Sequence, residues 1–227
     1  MLEAHQFAGL SREGSSMTPP PTETRARKAK ARKFYLMGPD FGTGSRVGWE
    51  MENLQMLLEG RRVLGPPRGS RGIAEFPEPP RLLIDRSIGR APRDVEQYHE
   101  YWLVSDRLKE SLAEIDPEGV VFVRCDVFNR DGTKGPIYWL TDVVRVLDAV
   151  DEDASRVRIK YYPEDNNRKV YSLLGGANLV FKERDVGTAH IFRMRYSEPY
   201  VICRQELRDA CKKAGLKGIS FKDAANC

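Results

Sequence analysis

The pattern of apolar and polar positions along the chain predicts short strands and helices in alternation. Residues 33–37 (KFYLM) form an apolar run typical of a strand. In residues 49–60 the apolar positions recur at helical spacing, which predicts a helix that ends at Gly60. From residue 61 to residue 93 prolines and glycines interrupt every period, and only RLLIDRSI can form a short strand. This region is therefore predicted to wrap irregularly around the core.

The most regular pattern is a strand-helix-strand segment that occurs twice. Residues 101–122 predict a strand, a helix capped by Ser105 and a second strand, and residues 200–221 align with them without a gap. Four aligned pairs are identical: Tyr101 with Tyr200, Leu108 with Leu207, Gly119 with Gly218, and Phe122 with Phe221. Any short unit of this kind shows a similar pattern, so duplication and chance likeness are both open readings.

Between the two segments the apolar residues alternate with the period of two that is typical of strands. Residues 120–150 predict a hairpin closed by Asp131-Gly132, and a second hairpin is predicted around the polar turn PEDNNR. Further strands are predicted at NLVFK and HIFRMR. The expected fold class is α+β, with a mixed, largely antiparallel sheet, a few helices and a possible duplicated strand-helix-strand unit.

Charge divides the chain into two regions. Residues 1–33 carry seven Lys/Arg against three Glu, so they hold the whole formal net charge of +4, whereas residues 34–227 carry 30 basic and 30 acidic side chains. We expect residues 1–33 to be a disordered basic tail and residues 34–227 to be a single domain. The run RARKAKARK at residues 25–33 leaves open an alternative function, a nucleic-acid-associated binding protein that uses this tail.

The sequence offers little for catalysis. The four cysteines have no CxxC spacing, and the three histidines are scattered, so we expect neither a metal nor a cofactor. Glycines 38, 42, 44 and 48 suggest a phosphate loop, but Gly44 is followed by Ser-Arg where a Walker loop needs Lys-Ser/Thr. Because no catalytic motif is present, we expect a protein that is not an enzyme. No apolar run is long enough for a membrane span or a secretion signal, so we expect a cytoplasmic protein.

Three stretches carry a resemblance to a known family. They are YWLVSDRLKESL at residues 101–112, YWLTDVVRVLDAVDEDAS at residues 138–155, and HIFRMRYSEPYVICRQELRDACKKAGLKGISF at residues 190–221. Together they resemble bacterial immunity protein family eleven of polymorphic toxin systems, over roughly residues 34–223. The chain departs from that pattern at Arg204, where family members often carry a small polar helix cap, and the tail has no family counterpart.

The resemblance implies that the protein binds a cognate toxin domain encoded nearby and neutralises it by occlusion, without catalysis. Nucleases are common targets beside such genes, and an inhibitor of a nuclease often presents carboxylates to the basic nucleic-acid groove. The predicted toxin-binding residues are therefore the acidic residues and tyrosines of the β-rich insert: Asp151, Glu152, Asp153, Tyr161, Tyr162, Glu164 and Asp165.

Overall fold

Fourteen strands and four α-helices form in the part of the chain that this computed structural model describes, residues 32–42, 46–67 and 69–227. The strands are β1 Phe34–Pro39, β2 Trp49–Met51, β3 Arg81–Ile84, β4 Val95–Tyr98, β5 Tyr101–Ser105, β6 Val120–Arg124, β7 Asp126–Asn129, β8 Tyr138–Val143, β9 Val146–Leu147, β10 Arg158–Tyr162, β11 Arg168–Ser172, β12 Ile191–Met194, β13 Ser197–Arg204 and β14 Ile219–Asp223. The helices are α1 Leu54–Leu58, α2 Asp106–Ile115, α3 Glu183–Val186 and α4 Gln205–Lys213, and a 3-10 helix spans Ala224–Asn226. The expected α+β class is confirmed.

The strands form four sheets. The largest has the order β14-β1-β13-β12-β9, and a second has the order β4-β5-β8-β6. Three strands make a sheet in the order β2-β3-β7, and β10 pairs with β11 as a separate hairpin. Two of the strand pairs, β3 with β7 and β9 with β12, are parallel, and the other pairs are antiparallel. The sheets are therefore mixed and largely antiparallel, as the sequence predicts.

The two aligned segments adopt the same local structure. Each is a strand-helix-strand unit whose two strands lie on either side of a third, antiparallel strand: β8 between β5 and β6, and β1 between β13 and β14. The registers also coincide. Trp139 of β8 is paired with Val104 and Arg124, and Tyr35 of β1 is paired with Cys203 and Asp223, which are the aligned residues of the other unit.

The correspondence extends to side chains on the third strands. Lys109 of α2 lies over the ring of Trp139 at 5.2 Å, and its aligned residue Arg208 of α4 lies over the ring of Tyr35 at 4.5 Å. Both cations thus contact the aromatic residue at the same register position of their unit. Matching register and matching contacts favour duplication over chance likeness for the two units.

One apolar cluster joins the two units. The helices α2 and α4 contact each other, and aligned residues of both units are buried in a common cluster. Leu108 and Leu207 are fully buried at equivalent positions, and Ser105 caps α2 by accepting a hydrogen bond from the Leu108 backbone N–H at 3.3 Å. Arg204 occupies the same position before α4 but makes no side-chain cap, as its departure from the family pattern suggested. The repeat therefore builds a shared core.

The predicted helix at residues 49–60 is wrong at its start. Residues 49–51 form β2, which pairs with β3, and only Leu54–Leu58 is helical. Strand pairing buries Met51 and overrides its helical spacing. Glu59 and Gly60 have φ values of 48° and 80°, and this left-handed backbone ends the helix where the glycine predicted its end.

The β-rich insert follows the predicted pattern with two corrections. β6 and β8 pair as expected, but β7 does not belong to that hairpin and pairs in parallel with β3. The Asp131-Gly132 turn therefore lies in the segment that connects β7 to β8. The hairpin around PEDNNR forms as β10 and β11, and Asn166 and Asn167 provide the left-handed backbone of its turn. The stretch NLVFK makes isolated bridges at Asn178 and Phe181 and no continuous strand. The basic tail up to residue 31, and residues 43–45 of the glycine-rich loop, lie outside the described residues.

Candidate functional site

A long groove lies between the β10–β11 hairpin and the turn that joins β12 to β13. Its volume is about 1210 Å³. The hairpin is fixed to this turn by two hydrogen bonds: the Tyr171 backbone N–H donates to the Tyr196 carbonyl at 2.8 Å, and the Ser197 hydroxyl donates to the Tyr171 carbonyl at 2.9 Å. The groove wall is therefore built from segments that are distant in sequence and held together by the fold.

Five basic side chains and four tyrosines line the groove. Glu198 is the single carboxylate among its lining residues. The charged and aromatic lining residues are Arg71, Lys160, Arg168, Lys169, Arg195, Glu198, Tyr162, Tyr171, Tyr196 and Tyr200. Because the folded region as a whole has equal numbers of basic and acidic side chains, the positive charge of the groove is a local property.

Lys169 is held in a network on one wall. Its ammonium pairs with Glu152, and it lies 4.6 Å from the ring of Tyr196 and 5.3 Å from the ring of Tyr171. The Tyr171 hydroxyl also donates to Glu152 at 2.5 Å. Hydrogen bonds from Lys169 and from this hydroxyl hold the pKa of Glu152 below its usual range. The charge of Glu152 is thus neutralised by Lys169, and Glu152 holds Lys169 and Tyr171 in place on the groove wall.

Two guanidinium groups share one buried carboxylate at the base of the groove. Asp142 of β8 is fully buried and pairs with both Arg71 and Arg193. Arg193 also donates to the carbonyls of Val143 at 2.9 Å and Glu198 at 2.7 Å. Burial and the nearby Arg71 lower the pKa of Arg193. Asp142 thus pairs with two cations, and the carboxylate of Glu198 also acts electrostatically on Arg193.

The comparison with protein families decides the assignment. The profile of the Immunity protein family (Imm11) matches residues 33–226, which is nearly all of the chain. The chain belongs to this family. A search of curated proteins finds no match. The resemblance noted in the sequence is thereby confirmed, and the groove is a feature of an Imm11 immunity protein.

The acidic residues predicted to bind the toxin in this Imm11 chain have different environments. Asp151 accepts from the Ala154 backbone N–H at 3.2 Å within a turn, and Glu152 is neutralised as described. Asp165 pairs with Arg168 across the hairpin turn. Asp153 and Glu164 are exposed, with no ion pair or side-chain hydrogen bond to any other described residue. Of the five predicted acidic residues, Glu152 and Asp165 are therefore paired with neighbouring cations.

The two predicted tyrosines lie on opposite faces of the hairpin. Tyr161 is 55% exposed, outside the groove, whereas Tyr162 lines it beneath the guanidinium of Arg168, at 5.0 Å. Of the seven predicted residues, Tyr162 alone lines the groove. Sequence reasoning did not find Arg71 or Arg195. One signal was present, since Arg193 interrupts an otherwise apolar strand, and such a residue needs a buried partner.

The candidates for catalysis are dispersed in the Imm11 fold. His99 lies in the β4–β5 turn, whereas His190 precedes β12 and donates its backbone N–H to Asp116 at 2.7 Å. In the described residues, no three His, Cys, Asp or Glu side chains group in a way that could hold a metal. Packing explains the glycine at position 48 of the glycine-rich loop, because a Cβ there would lie 2.3 Å from the Asp85 carbonyl oxygen.

None of the described helices has the length and apolar character to cross a bilayer.

Proposed function

We propose that this Imm11 protein binds a cognate bacterial toxin in the cytoplasm and neutralises it by occlusion, without catalysis of its own, and that the toxin is a nuclease. Family membership over residues 33–226 is the observation that carries the proposal. Occlusion requires a complementary surface and no reactive group, and the dispersed histidines fit that requirement. Covering either the nucleic-acid groove or the catalytic carboxylates of a nuclease suffices to block it.

The test is protection of growth. The toxin domain encoded beside the gene is expressed in a sensitive bacterium, with and without the immunity protein. We expect growth to stop with the toxin alone and to recover when both are expressed. Purified toxin should degrade DNA or RNA, and adding an equimolar amount of the immunity protein should prevent this. Growth arrest that persists despite coexpression would contradict the proposal.

The domain division is proposed from the same reasoning, with residues 34–227 as the domain that binds the toxin and the tail as dispensable. A truncated chain should begin at Arg32, because the Lys33 carbonyl accepts a hydrogen bond from the Gln205 backbone N–H at 3.1 Å and Arg32 pairs with Glu183. We expect it to protect growth as well as the full chain. The alternative function, nucleic-acid binding through the tail, predicts that the full chain binds DNA or RNA in a salt-dependent way and that the truncated chain does not.

A further inference from the structure

The groove contains cations without an intramolecular partner. Lys160 of β10 and Arg195 of the β12–β13 turn are exposed, and neither side chain makes an ion pair or a hydrogen bond to another described residue. Arg168 pairs with Asp165, but both side chains are more than half exposed, and such surface pairs contribute little. These three charges are available to a bound partner.

The base of the groove adds further basic side chains. Arg71 and Arg193 share the single carboxylate of Asp142, and Arg71 lines the groove. The Nε of Arg71 is buried and has no acceptor within the described structure. The Arg71 side chain as a whole is 13% exposed, so its positive charge would favour a carboxylate that enters the groove.

Apolar residues beside these cations make the surface suitable for a protein. Leu174 is 73% exposed and Tyr200 is 37% exposed, and both line the groove. Tyrosines and arginines are typical of the residues that contribute most at protein interfaces, and an exposed leucine adds apolar area that a partner can bury. An acidic segment with apolar residues would therefore find both kinds of contact.

The aromatic rings favour a protein partner over a single-stranded nucleic acid. Binding of single strands relies on open ring faces on which bases stack. Here Arg168 lies over Tyr162, and Lys169 lies over both Tyr171 and Tyr196. A cation therefore lies over one face of three of the four tyrosines that line the groove, which limits base stacking there, while Lys160, Arg168 and Arg195 stay available to carboxylates.

We propose that this groove is the docking site for an acidic segment of the toxin. The inference rests on the proposed function and adds the partner chemistry and the surface. It differs from the expectation that acidic residues of the insert meet a basic toxin surface, because the groove requires the opposite charge on the toxin. In a metal-dependent nuclease, the carboxylates that hold the metal would be a fitting target.

The experiment reverses the two free cations in the full chain, Lys160→Glu with Arg195→Glu. Binding kinetics to the purified toxin domain encoded beside the gene are measured at low and high salt. The matched control is Arg62→Glu with Arg86→Glu, which changes net charge equally at two exposed arginines outside the groove. We expect the groove variant to raise Kd by about tenfold or more, mainly through slower association at low salt, with the control within about twofold of wild type.

The neutral pair Lys160→Gln with Arg195→Gln should give an intermediate loss, and thermal unfolding of each variant checks that it is folded. Equal affinity of the groove variant and the control would overturn the inference while leaving the proposed function intact. The inference would also be overturned if the groove variant lost binding to an oligothymidine probe but kept its affinity for the toxin. If the wild-type chain does not bind the toxin, the proposed function fails and the inference fails with it.

Discussion

At the scale of single residues, Asp142 pairs with two arginines, Arg71 and Arg193. It is fully buried and is the carboxylate partner of Arg193, which is itself 5% exposed. We predict that Asp142→Asn lowers the free energy of unfolding by about 3–5 kcal/mol, because removing one partner of a buried pair leaves an uncompensated buried charge. Urea unfolding measures this loss.

Asp153→Asn is the matched control for that variant. Asp153 is exposed and forms no ion pair or side-chain hydrogen bond with the rest of the described chain. The same chemical change there should alter stability by about 0.5 kcal/mol or less. If both variants unfold at the same urea concentration, the shared carboxylate is not what balances Arg193.

Asp116 links stability to pH. Burial acts to raise its pKa, but hydrogen bonds from Arg145 and from the backbone N–H groups of His190 and Ile191 outweigh it and hold the pKa below its usual value. A depressed carboxyl pKa contributes stability above the unfolded-state pKa of about 3.9, and the contribution is lost as pH falls through the lower folded-state value.

We therefore predict that Asp116→Asn is less stable than wild type at neutral pH and that the gap narrows below about pH 4. Urea unfolding of both proteins across a pH series measures the gap. A difference that stays constant from neutral to acid pH would show that this carboxylate does not titrate with folding.

At the scale of elements, the two strand-helix-strand units should respond alike to equivalent changes. Leu108 of α2 and Leu207 of α4 are both fully buried in the shared apolar cluster. We predict that Leu108→Ala and Leu207→Ala each cost about 2–5 kcal/mol of unfolding free energy, since each leaves a cavity in the same core. Denaturant unfolding of the two single variants tests this.

The control pair for the helices is also equivalent by alignment. Glu114→Ala and Lys213→Ala alter exposed positions of α2 and α4 and should each change stability by about 0.5 kcal/mol or less. Similar losses for the two leucines support one cooperative core made by both units. A large loss for one leucine beside almost none for the other would mean that the helices stabilise separate regions.

Elements whose signals are local could be predicted from sequence, and the groove could not. Ser105 and Leu108 set the start and the buried face of α2 through near neighbours, so the sequence showed both. Trp49–Met51 became a strand because of a partner that is remote in sequence, β3. The groove brings Arg71, Lys160 and Arg195 together from three separate segments, and no sequence period records that proximity.

The surroundings of single acidic residues show the same limit. Asp151, Glu152 and Asp153 form an acidic run in the sequence, which suggests a solvated negative surface. In the fold, Glu152 of the turn that precedes β10 pairs with Lys169 of β11, and Asp151 accepts a hydrogen bond within that turn. Counting charges along a chain does not show which of them are neutralised by residues that the fold brings close.

At the scale of the whole molecule, the chain completes its second unit with its first strand. β1 lies between β13 and β14, and Tyr35 is paired with Asp223. In the first unit the equivalent strand, β8, follows the strand-helix-strand segment, whereas in the second it precedes the whole body. The two units are thus related by a circular rearrangement of strand order. Joining the end of the chain to β1 would give both units the same order.

This arrangement predicts that a circular permutant folds. A flexible glycine-serine linker joins Cys227 to Arg32, and new ends are opened between Asp131 and Gly132, both of which are exposed. We expect its unfolding free energy to lie within about 2 kcal/mol of the chain that begins at Arg32, because a surface loop closes at small entropic cost and an exposed turn tolerates new ends.

A permutant opened between Leu108 and Lys109 should not fold, since it divides α2 in the shared core. Urea unfolding and growth protection compare the three proteins. Failure of the first permutant beside a stable chain from Arg32 would mean that β1 must enter the sheet from a free end.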